Sequence, residues 1–94
     1  VYLKDILWVE SMKDYVKIFV DKVSKPIVPK LSLKMVEEML PATRFIRIHK
    51  SYIVNIEKIT ALQKKKLQLC NNTILPLSNN YHPSYDLIKI TTEL

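Results

Sequence analysis

The sequence predicts a mostly β fold of small, mainly antiparallel sheets, with two short helices at about residues 32–40 and 81–90. Three observations favour this class. The 94 residues are enough for one small domain. Hydrophobic residues make up 48% of the chain, which is sufficient for a core. Most apolar runs are short, and polar turn residues separate them.

The turns are predicted to form without glycine, which is absent from the chain. Asn, Asp, Ser and Pro tolerate or preset the dihedral angles of turns, so we place turns at residues 21–22, 71–72 and 79–80. The same absence excludes the glycine-rich loops that cradle phosphate in nucleotide-binding proteins.

The first predicted element is a hairpin. Strands at residues 6–10 and 15–20 flank a polar turn, and residues 1–3 are interpreted as the tail of a strand. Trp8 is expected in the core. Residues 27–29 are interpreted as a brief edge strand, because the prolines at both ends exclude a central position in a sheet.

The clearest helix prediction covers residues 32–40. Ser32 is a good N-cap, and Leu31 before it can form a hydrophobic staple. Apolar residues then recur at helical spacing until a proline ends the helix. Met35 and Met39 lie beside this stripe, and we interpret them as core residues rather than as a partner-binding groove.

Residues 45–55, FIRIHKSYIVN, carry the strongest local pattern. The run is long for one strand, so we predict two strands, at residues 45–49 and 52–55, with a corner between them. Lys50 and Ser51 would then place a cation and a hydroxyl where two strands meet, with core on both sides. Strand parity puts Ile46, Ile48, Tyr52 and Val54 on one face, and Phe45, Arg47, His49, Ser51, Ile53 and Asn55 on the other.

The rest of the chain is predicted to be a β-meander followed by the second helix. The lysines at positions 64–66 are interpreted as a solvated hairpin tip. Tyr81 marks the helix entry, and Pro83 suits a first helical turn. The meander strands are placed at residues 59–62, 67–69 and 74–77.

The composition favours an anionic partner and gives no sign of catalysis. Lys and Arg total 15 against 9 Asp and Glu, a formal charge of +6, which favours nucleic acid before membrane. His49, His82 and Cys70 match no zinc-ligand spacing, so we predict a non-enzyme without metal or cofactor. A single cysteine forms no internal disulfide, which fits a reducing compartment and hence the cytoplasm.

Residues 45–55 resemble the signature of the LytTR family of bacterial DNA-binding domains. That family shows Phe, Arg, His, a basic or polar residue, Ser, an aromatic or aliphatic residue and Val-Asn in this order. The hairpin is also similar, with an apolar run, a Glu, a polar turn and an aromatic residue. The resemblance covers about residues 6–88. The signature positions here are Phe45, Arg47, His49, Lys50, Ser51, Tyr52, Val54 and Asn55.

The resemblance implies an elongated stack of small sheets that binds specific double-stranded DNA through loops inserted into successive major grooves. Lys50 is the first candidate for a groove contact, and Ser51 for a phosphate contact. Arg47 and His49 are expected to buttress the corner or to add phosphate contacts.

Two further contact positions follow from the resemblance. The turn of the first hairpin would contribute Lys13, Asp14 and Tyr15. The family typically has a Ser-Arg-Arg-like run at the entry to its last helix. This chain has Asn79 and Asn80 there, which predicts a weaker contact or a different specificity.

The resemblance also implies a cellular context. Because the chain begins with Val1 and not Met, residues 1–94 are expected to be one LytTR-like domain of a longer chain. A receiver domain, controlled by a sensor histidine kinase, would lie upstream. The domain would then be the output of a two-component response regulator for transcription. It is expected to act in the cytoplasm as a dimer on direct-repeat DNA, with no small-molecule substrate, although some family members are membrane-anchored.

Two alternatives remain open. The change at Asn79 and Asn80 is compatible with a protein-interaction domain that has lost DNA binding. A single-stranded RNA binder is the other alternative, and it requires Tyr15, Tyr52 and Tyr81 to be exposed together on one basic face.

Overall fold

The computed structural model describes residues 2–78 and 81. In this part of the chain it has seven strands in two antiparallel sheets and one α-helix. The predicted mostly β class is confirmed, whereas residues 82–90 of the helix predicted at 81–90 lie outside the described residues. The strands are β1 (Ile6–Ser11), β2 (Val16–Val20), β3 (Phe45–His49), β4 (Tyr52–Asn55), β5 (Ile59–Leu62), β6 (Lys66–Leu69) and β7 (Ile74–Pro76), and the helix is α1 (Leu33–Met39).

The larger sheet has the strand order β2-β1-β4-β3. The predicted bounds of β3 and β4 are confirmed. The predicted edge strand at residues 27–29 is reduced to a single bridge between Ile27 and Ile18, because Pro26 and Pro29 flank it. The predicted strand tail at the N-terminus is wrong, since Leu3–Asp5 forms a short 3-10 helix.

Helix α1 begins and ends close to the predicted residues. The Ser32 side chain caps it by accepting a hydrogen bond of 3.1 Å from the Met35 N–H. Leu33 and Val36 are buried against the larger sheet. The prediction for the methionines is wrong, because Met35 and Met39 are 50% and 69% exposed. The apolar stripe of this short helix is narrow, and both methionines lie beside it.

The smaller sheet is the predicted meander, in the order β5-β6-β7. The turns that lack glycine use other residues in the left-handed region. Asn72 has φ of 70° between β6 and β7, and Lys22 has φ of 63° after β2. Asn tolerates this region better than most residues, whereas Lys does so at a cost.

The larger sheet lies between two apolar layers. Ile53 and Phe45 face α1, whereas Ile48 and Val54 face the smaller sheet. Trp8 is in the second layer, as predicted, and its ring stacks on Phe19 with centroids 4.0 Å apart. The core on both sides of the 45–55 segment is therefore confirmed.

The base of this segment is fixed by a buried polar residue. Asn55 is 1% exposed, and its Nδ2 donates a hydrogen bond of 2.9 Å to the Ile6 carbonyl. Its Oδ1 accepts one of 3.1 Å from the Glu57 N–H. Both ends of the amide are thus satisfied, which is what a buried side-chain amide requires.

Among the described residues, no helix is long and apolar enough to cross a bilayer.

Candidate nucleic-acid interface

Two of the predicted contact turns lie at the same end of the larger sheet. Strand β1 runs antiparallel to β4, with Glu10 opposite Tyr52, so the end of β1 meets the start of β4. The Ser11 N–H donates a hydrogen bond of 2.8 Å to the Ser51 carbonyl. The turn at residues 12–15 and the corner at residues 49–51 are therefore neighbours, although about forty positions separate them in sequence.

The first of these turns is open to solvent. The Met12 N–H donates to the Tyr15 carbonyl at 2.8 Å, which closes the hairpin. Lys13 and Asp14 are exposed at its tip, and Tyr15 is 43% exposed. An aromatic residue at the start of a strand can instead pack across the sheet, and the exposure of Tyr15 favours the contact role.

The corner contains a β-bulge that the sequence pattern did not predict. The pairing of β3 with β4 shifts after Arg47, so His49, rather than Ile48, is opposite Tyr52. The rings of His49 and Tyr52 are 5.4 Å apart. Parity had placed His49 on the face of Arg47, and this placement is wrong because the extra residue reverses the alternation.

The His49 side chain orders the corner itself. Its Nδ1 accepts a hydrogen bond of 3.1 Å from the Ser51 N–H, which assigns the ring proton to Nε2. The main chain therefore turns around the imidazole, and Lys50 is left exposed at the apex. The predicted place of Lys50 and Ser51 between the two strands is confirmed, whereas their contact with DNA remains a prediction.

Arg47 braces the corner from inside. Its Nε donates to the His49 carbonyl at 3.3 Å, and its Nη2 donates to the Lys50 carbonyl at 2.6 Å. Its Nη1 pairs with the Glu37 carboxylate on α1 at 3.2 Å. The Arg47 side chain is 17% exposed, so most of the guanidinium is turned toward the protein.

The third predicted contact position is incompletely described. Asn79 and Asn80 lie outside the described residues. Ser78 before them donates its N–H to the Ile48 carbonyl at 2.9 Å, and the ring of Tyr81 after them lies 4.8 Å from the guanidinium carbon of Arg47. Both flanking residues therefore contact β3.

The lysine-rich tip between β5 and β6 also lies near the corner. The Leu77 N–H donates to the Lys65 carbonyl at 2.8 Å, while the next residue, Ser78, bonds to β3. Two consecutive residues thus join the tip to the end of β3. The side chains of Lys64, Lys65 and Lys66 are exposed. This proximity depends on the packing of the two sheets and is not visible in the sequence.

The contacts of Arg47 with Glu37 and Tyr81 were not predictable from the sequence pattern. Tyr81 was expected at a helix entry or as a stacking ring, and no feature of the sequence pattern singled out Glu37. Parity did place Arg47 on one face of β3, but the helix that covers this face cannot be identified from periodicity alone.

Within the described residues, no cluster of three or more His, Cys, Asp or Glu side chains suggests a metal site.

Comparison with known proteins bears on the family and the fold of the chain. A family model described as the LytTr DNA-binding domain matches residues 1–86. No curated protein matches the chain at a significant level. One solved structure is described as the LytTr DNA-binding domain of a methyl-accepting/DNA response regulator from Bacillus cereus. It aligns with a TM-score of 0.80 and 24% sequence identity, over 95% of this chain and 84% of that chain. The match is evidence for the fold.

Proposed function

The chain belongs to the LytTR family of DNA-binding domains, and from this premise we propose that it binds specific double-stranded DNA through the turns at one end of its larger sheet. The observation that supports the proposal most directly is the juxtaposition of the turn at residues 12–15 and the corner at residues 49–51. The hydrogen bond between Ser11 and Ser51 holds them together, and each presents an exposed lysine, Lys13 and Lys50.

The two turns are suited to different parts of a DNA duplex. Lys50 is at the apex of a braced corner, so its ammonium group can be directed to a base edge in the major groove. Ser51 and Lys13 flank it and are suited to phosphate oxygens. Tyr15 offers an exposed ring and hydroxyl, and Asp14 can accept a hydrogen bond from a cytosine amino group.

The remaining predicted contact residues would act in other ways. His49 acts by ordering the main chain of the corner, through the hydrogen bond from Ser51 to its ring. Asn79 and Asn80 are proposed as a third contact, in which an amide side chain can pair with adenine but supplies no charge.

The wider role that we propose is regulation of transcription in a two-component system. A receiver domain upstream, phosphorylated by a sensor histidine kinase, would bring two copies together on a direct-repeat site. The support for this context is family membership and, for the solved relative, its description as part of a response regulator. A cytoplasmic location follows from the same proposal.

Salt dependence tests the proposal. If about six phosphates are contacted, the log–log slope of affinity against salt is roughly −5, which is about a thousandfold loss between 50 and 200 mM. Fluorescence anisotropy with a labelled duplex measures this slope. Lys25→Ala is a control that removes one positive charge at the opposite end of the sheet, away from the proposed contacts. A slope near zero contradicts phosphate-dominated binding.

Of the two alternatives, the protein-interaction domain has the more specific support. Asn79 and Asn80 lack the charge found at this position in the family. Binding of a protein partner that is insensitive to salt, without DNA binding, would favour it. The RNA alternative has less support, because Tyr52 is half-buried against the core and Tyr81 lies against Arg47, which leaves only Tyr15 of the three rings exposed.

A further inference from the structure

We infer that Arg47 is a positioning residue, and that Glu37 and Tyr81 control DNA specificity through it without contacting DNA. This inference rests on the proposed DNA-binding function. It assigns a role to two residues that belong to none of the contact turns. In this arrangement α1, the corner and the segment that ends at Tyr81 are joined through one guanidinium group.

The first argument is the hydrogen bonding of the guanidinium group. Each of its nitrogens has a protein acceptor: Nε donates to the His49 carbonyl, Nη2 to the Lys50 carbonyl and Nη1 to the Glu37 carboxylate. The guanidinium carbon lies over the ring of Tyr81, 4.8 Å from its centroid. With 17% of the side chain exposed, little of Arg47 is available to a phosphate.

The second argument is electrostatic. A buried or half-buried cation paired with a carboxylate contributes little field to a distant anion, because the two charges oppose each other. Glu37 lies 3.2 Å from Arg47 and neutralises it in this way. Lys50, by contrast, is exposed and makes no ion pair among the described residues. The corner therefore separates the group that orients the turn from the group that meets the DNA.

Arg47 also connects three parts of the chain. Glu37 projects from α1, and the bond to the Lys50 carbonyl is made at the apex of the corner. Tyr81 follows the third proposed contact position, so the contact of its ring with the Arg47 guanidinium joins Tyr81 to the corner. The rigid, planar guanidinium suits this geometry because its donors are spread over three nitrogens, whereas a lysine ammonium is a compact point charge whose three donors share one nitrogen.

The distinguishing measurement is the ratio of affinities for two duplexes. One duplex is the sequence enriched from a randomised pool by the wild-type protein. The other is a scrambled duplex of equal length and composition. Arg47→Lys keeps the charge and Arg47→Met removes it. Both are expected to lower the specific affinity about tenfold or more, with little change in affinity for the scrambled duplex. The salt slope is expected to stay within about 0.3 of wild type.

Glu37→Gln and Tyr81→Leu test the two remote partners. Glu38→Gln is the matched control for the first, because Glu38 is exposed on the same helix and makes no ion pair in the described part of the chain. Each Glu→Gln change raises the net charge equally, which by itself strengthens DNA binding. A loss of specificity in Glu37→Gln alone, about threefold to tenfold, therefore isolates the brace.

Other outcomes overturn the inference. If Arg47 contacts phosphate, Arg47→Met reduces the slope by about 0.9 and weakens binding to both duplexes, while Arg47→Lys restores most of it. If Arg47 serves only stability, both affinities fall in proportion to the unfolded fraction. Because Tyr81 is outside the core clusters, Tyr81→Leu decides the matter if the Arg47 variants do not fold. An unchanged ratio in Tyr81→Leu also overturns the inference. Absence of DNA binding by the wild-type protein contradicts the proposed function instead.

Discussion

Two basic turns near one end of the molecule differ in how firmly they are held. At the corner, the Arg47 side chain bonds to two main-chain carbonyls, and the His49 ring bonds to the Ser51 N–H. At the β5–β6 tip, main-chain hydrogen bonds hold the turn, from Gln63 to Lys66 and from Leu77 to Lys65. No side-chain bond to the tip is found in the described residues.

This difference separates two ways of using positive charge. Reading a base edge requires a donor held in one orientation, and the brace supplies that order before DNA binds. Attraction to phosphate requires only charge nearby, and exposed lysines on a tip are sufficient for it. We therefore expect the corner to determine sequence preference and the tip to add affinity without preference.

The largest expected effect is on the packing beneath the corner. Ile48 is fully buried between the two sheets, so Ile48→Ala should lower the free energy of unfolding by about 2–5 kcal/mol. Ile74→Ala is the matched control, because Ile74 is 57% exposed and its loss should cost less than about 0.5 kcal/mol. Urea unfolding followed by the fluorescence of Trp8, the single tryptophan, measures both. Equal losses of unfolding free energy in the two variants would show that the packing of Ile48 does not support the corner.

The next effect concerns the apex. Lys50→Ala should weaken binding to the selected duplex by about 1–3 kcal/mol and reduce discrimination at one base position. Lys25→Ala, which removes the same charge from the far end of the sheet, should leave discrimination intact. Binding isotherms with a set of single-base variants of the duplex measure this. The distinction between corner and tip fails if Lys50→Ala weakens all duplexes equally.

A smaller effect is expected at the helix that carries Glu37. Ser32→Ala removes the N-cap of α1 and should lower the free energy of unfolding by about 1 kcal/mol. Ser24→Ala, in an exposed loop, is a control for the loss of a serine hydroxyl. Because α1 anchors the brace, specificity should fall slightly in the first variant and not in the second. An unchanged stability in Ser32→Ala would argue that the cap does not support the helix.

The smallest effect is expected at the tip. Lys65→Ala should weaken binding a few-fold, uniformly across sequences, and reduce the salt slope by about 1. The same anisotropy titrations at several salt concentrations measure it. If Lys65→Ala changed the preferred base at any position, the tip would be reading sequence, and the contrast with the corner would be lost.

The strands on either side of the corner were predictable from the pattern of residues 45–55. Strands β3 and β4 have the predicted bounds, and the core on both sides follows from apolar residues of both parities. Helix α1 was predictable from its cap and from the proline after it. The exposure of Met35 and Met39 was not, because periodicity alone does not give the width of the buried stripe.

The candidate site was predictable as residue types and not as contacts. Lys50 and Ser51 follow from the corner between two strands. The bulge that turns His49 toward Tyr52 has no sequence signal here, since no glycine marks it. The contacts of Arg47 with Glu37 and Tyr81 join residues that are ten or more positions away in sequence, and only the packing of α1 and the chain after β7 brings them together.

The most direct test of the central claim is parallel selection from a randomised duplex pool with the wild-type protein and with Lys50→Ala, at low and moderate salt. The wild-type protein should enrich a motif that is repeated at about one helical turn. The variant should enrich the same motif with one position degraded. Enrichment of no motif by the wild type, or of an identical motif by both proteins, would contradict the claim that the corner reads DNA.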